Sequence, residues 1–324
     1  MRIINGSDHV PASARGAALA IGNFDGVHRG HQALIEATRK EARRLGTQAG
    51  AVVFEPHPRE YFQPDKPHFR LTPLPLKLRL MEEFGIDLAI VLAFDARLAG
   101  LSADEFVTRV LLDALGARQV VVGYDFRFGK GRSGDPTSLQ QAADALGFGV
   151  TVIGQVAEAG EVFSSSAIRA ELALGDVKGA AQMLGWWWRV TGVVKSGAKR
   201  GTGLGFPTAN IALPPGTALA HGIYAVRISM GSRHYAGAAY LGTRPTFDDG
   251  AAILETFLFD FDGDLYDREI EVEFIDFIRP DRRFDSAAAL QAQMDQDCSR
   301  AREILSRTGP GLVQGRPAAP GQCE

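Results

Sequence analysis

The chain has little cysteine, little net charge and no long apolar run. Cys298 and Cys323, the two cysteines in 324 residues, are too few for a disulfide framework or a thiolate metal quartet. That fits a reducing compartment, and the expected location is the cytoplasm. A net charge of −3, from 35 basic and 38 acidic residues, gives no electrostatic case for nucleic acid or for a membrane surface. No segment approaches an apolar membrane span, and the N-terminus lacks the apolar core of a signal peptide. Internal repeats are absent. What remains is a soluble, globular composition, long enough for two domains with a core each.

From Ala17 to about Gly154, short apolar runs alternate with helical patterns. Ala17–Ile21, Ala49–Phe54, Leu88–Phe94, Gln119–Gly123 and Gly149–Ile153 read as strands. Such alternation predicts a parallel, Rossmann-like sheet with helices on both faces, whose ligands sit beyond the carboxyl ends of the strands. Ser102 with Glu105 three residues later predicts a capping box for the helix carrying Phe106, Val110 and Leu111.

At the end of the first strand stands Gly22-Asn23-Phe24-Asp25-Gly26-Val27-His28-Arg29-Gly30-His31. Gly22, Gly26 and Gly30 permit tight turning and close backbone approach to a ligand. The helix that follows aims N–H groups and a positive dipole end at the same place. His28 and His31, three apart, face one point as that helix starts. The set suits a reaction that builds negative charge on phosphorus, and by itself admits other phosphorylated acceptors, such as a sugar- or pantetheine-like phosphate. Three more segments fall at strand ends: Glu55-Pro56-His57-Pro58-Arg59, the run Gly123–Gly129 with Arg127, and Ser164-Ser165-Ser166-Ala167-Ile168-Arg169. In the last, hydroxyls cap a helix and an arginine fork suits a leaving pyrophosphate. Gly129–Gly134 spells G-x-G-x-x-G, but it lies several residues past its strand instead of closing it, which argues against a dinucleotide site.

Ala173–Leu184 reads as a short helical stretch, and at Trp186-Trp187-Trp188 the texture changes. Strand alternation would bury some of these tryptophans and leave others at the junction. Tyr224, Val226, Ile228 and Met230 alternate with Ala225, Arg227 and Ser229; Ile270, Val272 and Phe274 alternate with Glu269, Glu271 and Glu273. These are antiparallel strands with one wet face, hence a small β-barrel. Ser286–Leu305 reads as a closing helix and the Gly- and Pro-rich tail as disordered. The expected domains are 1–185 and 186–307, with a tail at 308–324. Gly197, Gly201, Gly203 and Gly205 are spaced to wrap amides around phosphate oxygens, with Lys199 or Arg200 adding charge. A plain glycine-rich turn fits them equally. Thr208 and Asn210 are two apart, so on an extended segment their oxygens face one side and suit Mg²⁺ beside a triphosphate.

The first motif resembles the G-x-F-D-x-x-H-x-G-H signature of the nucleotidyltransferase superfamily. With Asn23 before Phe24 and Gly26-Val27 before His28, it is most similar to the bifunctional bacterial riboflavin kinase/FAD synthetase family. That family has the same Pro-His-Pro, the Gly-x-Asp-Phe-Arg-Phe-Gly run and a Ser-Ser-[Ser/Thr]-x-Ile-Arg motif. Gly205-Phe206-Pro207-Thr208-Ala209-Asn210 resembles its kinase motif, joined by His221–Tyr224, Gly242–Phe247 and the Asp260–Tyr266 run. The resemblance spans roughly Gly16 to Leu305. It implies an α/β nucleotidyltransferase domain, then an all-β six-stranded barrel with a closing helix. It also implies two consecutive reactions, riboflavin to FMN and FMN to FAD with release of pyrophosphate.

The implied ligands are riboflavin, FMN, FAD, ADP, pyrophosphate and ATP, the co-substrate of both steps, with Mg²⁺ on Thr208 and Asn210. A weak homo-oligomer is left open. Glu255 is the implied kinase base, and His28 and His31 the catalytic pair of adenylyl transfer. Around the second nucleotide the resemblance sets Gly22, Phe24, Asp25, Gly26, Arg127, Ser164, Ser165 and Arg169. Around the kinase's ligands it sets Gly197, Lys199, Gly203, Gly205, Pro207 and Arg244. On period 2, Glu255 shares its face with Ile253, Phe257 and Phe259, an acid among apolar side chains. Phe257 stands where many relatives have histidine.

Overall fold

The computed structural model describes residues 1–158, 161–195, 208–214, 216–243 and 252–309, and the chain divides into two compact units at residues 165/166. In the first unit, β1 (Arg2–Asn5), β2 (Ala18–Ile21), β3 (Ala49–Glu55), β4 (Leu88–Ala93), β5 (Gln119–Gly123) and β6 (Gly149–Ile153) form one parallel sheet in the order β1-β4-β3-β2-β5-β6. All four residues of β2 are buried, as a strand covered on both faces requires. From β2 the chain winds outward to β3 and β4, then returns to lay β5 and β6 on the other side. The crossover lies between β2 and β5, and sheets of this kind take their ligands beyond the carboxyl ends of the strands at such a point.

Helix α1 (Arg29–Leu45) leaves the end of β2 and stops at Gly46, whose φ of +63° closes it in the left-handed region. α2 (Pro58–Phe62) and α3 (Leu74–Glu83) fill the connection from β3 to β4. α4 (Ala96–Gly100) precedes α5 (Ala103–Glu105), which runs on as a wider π-wound helix over Phe106–Ala114. Its capping box is formed as expected: the Glu105 amide donates to Ser102 Oγ at 3.1 Å, and the Ser102 amide to Glu105 Oε2 at 3.0 Å. α6 (Pro136–Leu146) leads into β6, and a short hairpin, β7 (Ala157–Glu158) with β8 (Glu161–Val162), ends the unit. The sequence reading began at Ala17 and missed β1. That strand is four residues long, lies at the sheet edge and buries only Ile4, too little to make an apolar run.

α7 (Ser165–Leu174) is the helix expected behind the serine run, and α8 (Val177–Leu184) fills most of the stretch expected over Ala173–Leu184. Gly175 interrupts it at φ +84°, and Asp176 caps α8 by accepting from the Gly179 amide at 2.8 Å. Both helices pack within the second unit: the Ala220 amide donates to the Leu172 carbonyl at 3.0 Å, and Lys178 pairs with Asp276 at 2.6 Å. The unit's sheet is antiparallel, with β9 (Arg189–Val193), β10 (Thr208–Ala212), β11 (Gly222–Met230), β12 (Arg233–Thr243), β13 (Ala252–Leu258) and β14 (Glu269–Pro280) in the order β10-β13-β12-β11-β14-β9. The Lys195 amide donates to the Asn210 carbonyl at 2.9 Å and draws the two edges together into a nearly closed barrel.

Tyr224, Val226, Ile228, Ile270, Val272 and Phe274 are all buried, the alternation read from the sequence. Trp186 and Trp188 are buried, the latter stacked on Phe274 at 5.2 Å, while Trp187 is half-buried. α9 (Ala287–Arg307) opens on Ser286, which caps it, and packs Ala301 and Ile304 against Ala225, Ala238, Phe259 and Ile275 on the outside of the barrel. Arg279 of β14 forks onto the buried Asp297 of α9 at 2.7–3.1 Å. The tail beyond residue 309 lies outside the described residues.

Candidate active sites

The turn from β2 to α1 is strained. Phe24 and Val27, neither a glycine, sit at φ +49° and +39°, and both are fully buried. Backbone of this kind costs on the order of 1–3 kcal/mol per residue and persists only where neighbours hold it. The holders are specific. The Gly26 amide donates to Thr72 Oγ1 at 2.9 Å, the Thr72 amide to Asp25 Oδ1 at 3.1 Å, Ser165 Oγ to the Asp25 carbonyl at 2.8 Å and Lys77 Nζ to the Asn23 carbonyl at 2.7 Å. Gly22 abuts Phe24: a Cβ at 22 would lie 3.3 Å from its ring.

This turn delivers the two histidines to one place, as their spacing implies. The rings of His28 and His31 stack with centroids 3.7 Å apart, and Phe24 closes on His31 at 5.1 Å. Gly30 makes room for the stack, since a Cβ there would meet His28 Cε1 at 3.0 Å. Burial lowers His28 to a pKa of about 4, and burial together with the charges of His28 and Lys77 holds His31 well below the usual imidazole range. Both rings are therefore neutral at pH 7. Neither Nδ1 has a hydrogen-bond partner among the described residues. A buried, unsatisfied imidazole pair at a helix start is equipped to meet phosphate oxygens.

Ser164 immediately precedes α7, Ser165 opens it, and Arg169 lies half-buried one turn in. Arg127 is exposed in the loop after β5 and donates to the Phe126 carbonyl at 2.9 Å. The G-x-G-x-x-G run folds as a loop pinned by Phe128 pairing with Gly134, not as a strand-to-helix turn. His57 caps α2, accepting from the Arg59 amide at 3.1 Å, and lies 4.6 Å from the His68 ring. Sequence reasoning missed Thr72, Lys77 and the Arg70 cluster, in which one guanidinium binds Glu55 at 2.8 and 2.9 Å and also Glu60. Lys77 left one trace: it occupies an apolar stripe with Leu76, Leu80 and Met81.

In the second unit, β10 pairs with β13 so that Asn210 stands opposite Glu255, whose other neighbour is Tyr240 of β12. Directly opposed residues project from the same face of a sheet. Asn210, Glu255 and Tyr240 therefore form one row, with Thr208 two residues along on the same side. The opposite face carries Leu254, Thr256 and Leu258, all buried in the barrel, whereas Ile253, Glu255 and Phe257 are half-buried outside it. Tyr240 lies along its strand over Gly242, where a Cβ would fall 2.0 Å from its hydroxyl, and that hydroxyl donates to Asp281 Oδ2 at 3.0 Å. Gly197, Lys199, Gly203, Gly205, Pro207 and Arg244 lie outside the described residues.

The chain thus combines a parallel α/β sheet with a histidine pair at its crossover and an antiparallel barrel in which Asn210 stands opposite Glu255. The FAD synthetase family model matches residues 10–167 and the riboflavin kinase model residues 184–305. The bifunctional riboflavin kinase/FMN adenylyltransferase of Pseudomonas fluorescens is 40% identical over 94% of this chain and 98% of its own. The Escherichia coli K12 protein of that name is 39% identical over 96% and 100%. The chain belongs to the bifunctional riboflavin kinase/FMN adenylyltransferase family. A solved structure described as a macrolide-efflux protein from Streptococcus pneumoniae is also similar throughout, with a TM-score of 0.82 and 26% identity over 95% of this chain and all of that one. Among the described residues, no helix is long and apolar enough to cross a membrane.

Proposed function

We propose that the chain makes FAD from riboflavin in two ATP-dependent steps, one in each unit. One observation carries the reading: two sets of phosphate-transfer side chains, His28 with His31 and Asn210 with Glu255, each confined to its own unit. By sequence motif residues 1–185 are assigned to adenylyl transfer and 186–307 to the kinase, although α7 and α8 pack within the second compact unit.

In the barrel, Glu255 takes the proton of the terminal ribityl hydroxyl of riboflavin as that oxygen attacks the γ-phosphorus of ATP, and ADP leaves. Thr208 and Asn210 hold Mg²⁺; their neutral oxygens, with a carboxylate opposite, suit a hard cation. Bound there, the ion neutralises phosphate charge. Gly197, Lys199, Gly203, Gly205, Pro207 and Arg244 are assigned to the nucleotide and flavin.

In the first unit the phosphate of FMN attacks the α-phosphorus of a second ATP. It is a nucleophile at neutral pH, so no general base is required. His28 and His31 donate N–H groups to the charge that develops, while the buried Phe24 and Asp25 keep water from the turn behind them. The Ser164–Arg169 motif assigns Ser164, Ser165 and Arg169 to the pyrophosphate, and Arg127 is assigned to the nucleotide. Cys298, a thiol without a disulfide, fits a cytoplasmic location. The test is direct: incubate the purified protein with riboflavin, ATP and Mg²⁺ and separate the flavins by chromatography. FMN followed by FAD is the expected order, and riboflavin returned unchanged refutes the proposal.

A further inference from the structure

Lys77 is a lysine in the wrong place for a surface residue. It is 2% exposed, on the face of α3 that packs inward with Leu76, Leu80 and Met81. An ammonium withdrawn from water costs several kcal/mol unless its partners compensate, so a fold retains one only against a strong local need. The partner is informative. Nζ donates to the Asn23 carbonyl at 2.7 Å, inside the turn that holds Phe24 and Val27 in left-handed backbone. Apolar side chains would fill the same space more cheaply, but none would bind that carbonyl.

The surroundings of Lys77 are crowded with charge. Asp25 favours its cation, Arg70 disfavours it, and Glu55 and Glu60 favour it, all against a burial that lowers its pKa. In the other direction, its charge acts on two histidines. It joins burial and His28 in lowering His31, and joins burial, His68 and Arg70 in lowering His57, which Glu60 opposes.

We propose that Lys77 is a positioning residue for adenylyl transfer: its ammonium pins the strained β2–α1 turn through the Asn23 carbonyl and sets the electrostatic background in which the stacked imidazoles meet phosphate. The pin keeps the turn from relaxing into an ordinary loop, which would part His28 from His31. The charge keeps His31 unprotonated before ATP arrives, so the stack is not split by a like-charged pair. Lys77 reaches the reaction through the Asn23 carbonyl and through His31. The inference rests on reading the first unit as the FMN adenylyltransferase.

The experiment compares wild type, Lys77→Met and Lys77→Arg as full-length proteins. Three quantities are measured: FMN conversion to FAD, riboflavin phosphorylation, and the imidazole pH titration of His31 by NMR, its resonance assigned with His31→Ala. Lys77→Met is expected to lower kcat for FAD formation at least about tenfold, as a small misplacement of reacting groups does. Riboflavin phosphorylation by the same molecules stays within about twofold, which controls for folding. The His31 midpoint moves upward, because a cation opposing its protonation is gone. Lys77→Arg keeps the charge, holds the midpoint low and recovers part of the rate. Wild-type kcat in Lys77→Met overturns the proposal. So does a slow Lys77→Met whose His31 midpoint has not moved, since that is the signature of a merely structural strut. Wild-type protein that makes no FAD from FMN defeats the underlying assignment instead, and the His31 titration then decides on Lys77 by itself.

Discussion

Asn210 and Glu255 stand directly across from one another on β10 and β13, on the outer face of a barrel whose inner face is sealed by Leu254, Thr256 and Leu258. The side chains of Asn210 and Glu255 thus share one face of the sheet, and their proposed roles as metal ligand and base can be tested separately from the other unit.

Glu255→Ala should cut FMN formation by about 100-fold or more, the range expected for loss of a general base. FMN supplied from outside should still be converted to FAD. Chromatography of flavins from the two separate incubations decides it, and equal loss of both reactions contradicts a role confined to the kinase.

Gly30→Ala should impair the other reaction. The new methyl would lie 3.0 Å from His28 Cε1 and 3.1 Å from Nδ1, so the imidazole must shift by a few tenths of an ångström. Alanine within a helix gains roughly 1 kcal/mol over glycine, which offsets the crowding. Little change in melting temperature, with a fall of about tenfold in FAD formation from FMN, is the expected pair of results.

Stability of the first unit should fall as pH drops from about 6.5 to about 4. Burial holds His28 near pKa 4 and His31 and His57 also below the ordinary imidazole value. In that window the unfolded chain binds protons that the native chain refuses, so acid favours unfolding. For His28 the full effect is on the order of 3 kcal/mol, reached below pH 4. His28→Gln should flatten the slope measured by chemical denaturation across that range.

Asp297→Ala should loosen α9. Arg279 would lose its forked partner, and an abandoned guanidinium that is largely buried costs about 3 kcal/mol. Gln293, which donates to the same carboxylate at 2.8 Å, would lose its anchor as well. Thermal unfolding followed through the tryptophans of the second unit should report the loss.

Much of this was legible in the sequence because the signals were local. β2 to β5 are apolar runs bounded by turns, and the histidine spacing alone brought two rings to one point. Where function lay across the fold, the sequence was mute. Thr72 and Lys77 reach the turn from positions 46 and 54 residues away, and no spacing rule connects them. Gly175 moved the start of the helix expected from Ala173 on to Val177, because its left-handed backbone cannot be told from composition. The Arg279–Asp297 fork was hidden for the opposite reason: each residue sits in a polar stretch, and only packing shows that both are withdrawn from water.

The roof over the barrel is built by the far end of α9. Its first two turns are mostly exposed, with Leu290, Gln293 and Met294 half-buried, whereas Asp297, Ala301 and Ile304 are buried in the contact. A series of premature stop codons should therefore produce a cliff and not a slope. Chains ending beyond Arg307 keep the cover, and those ending before Asp297 lose both the Arg279 fork and the Ala301 and Ile304 contacts, leaving the outer wall of the barrel bare.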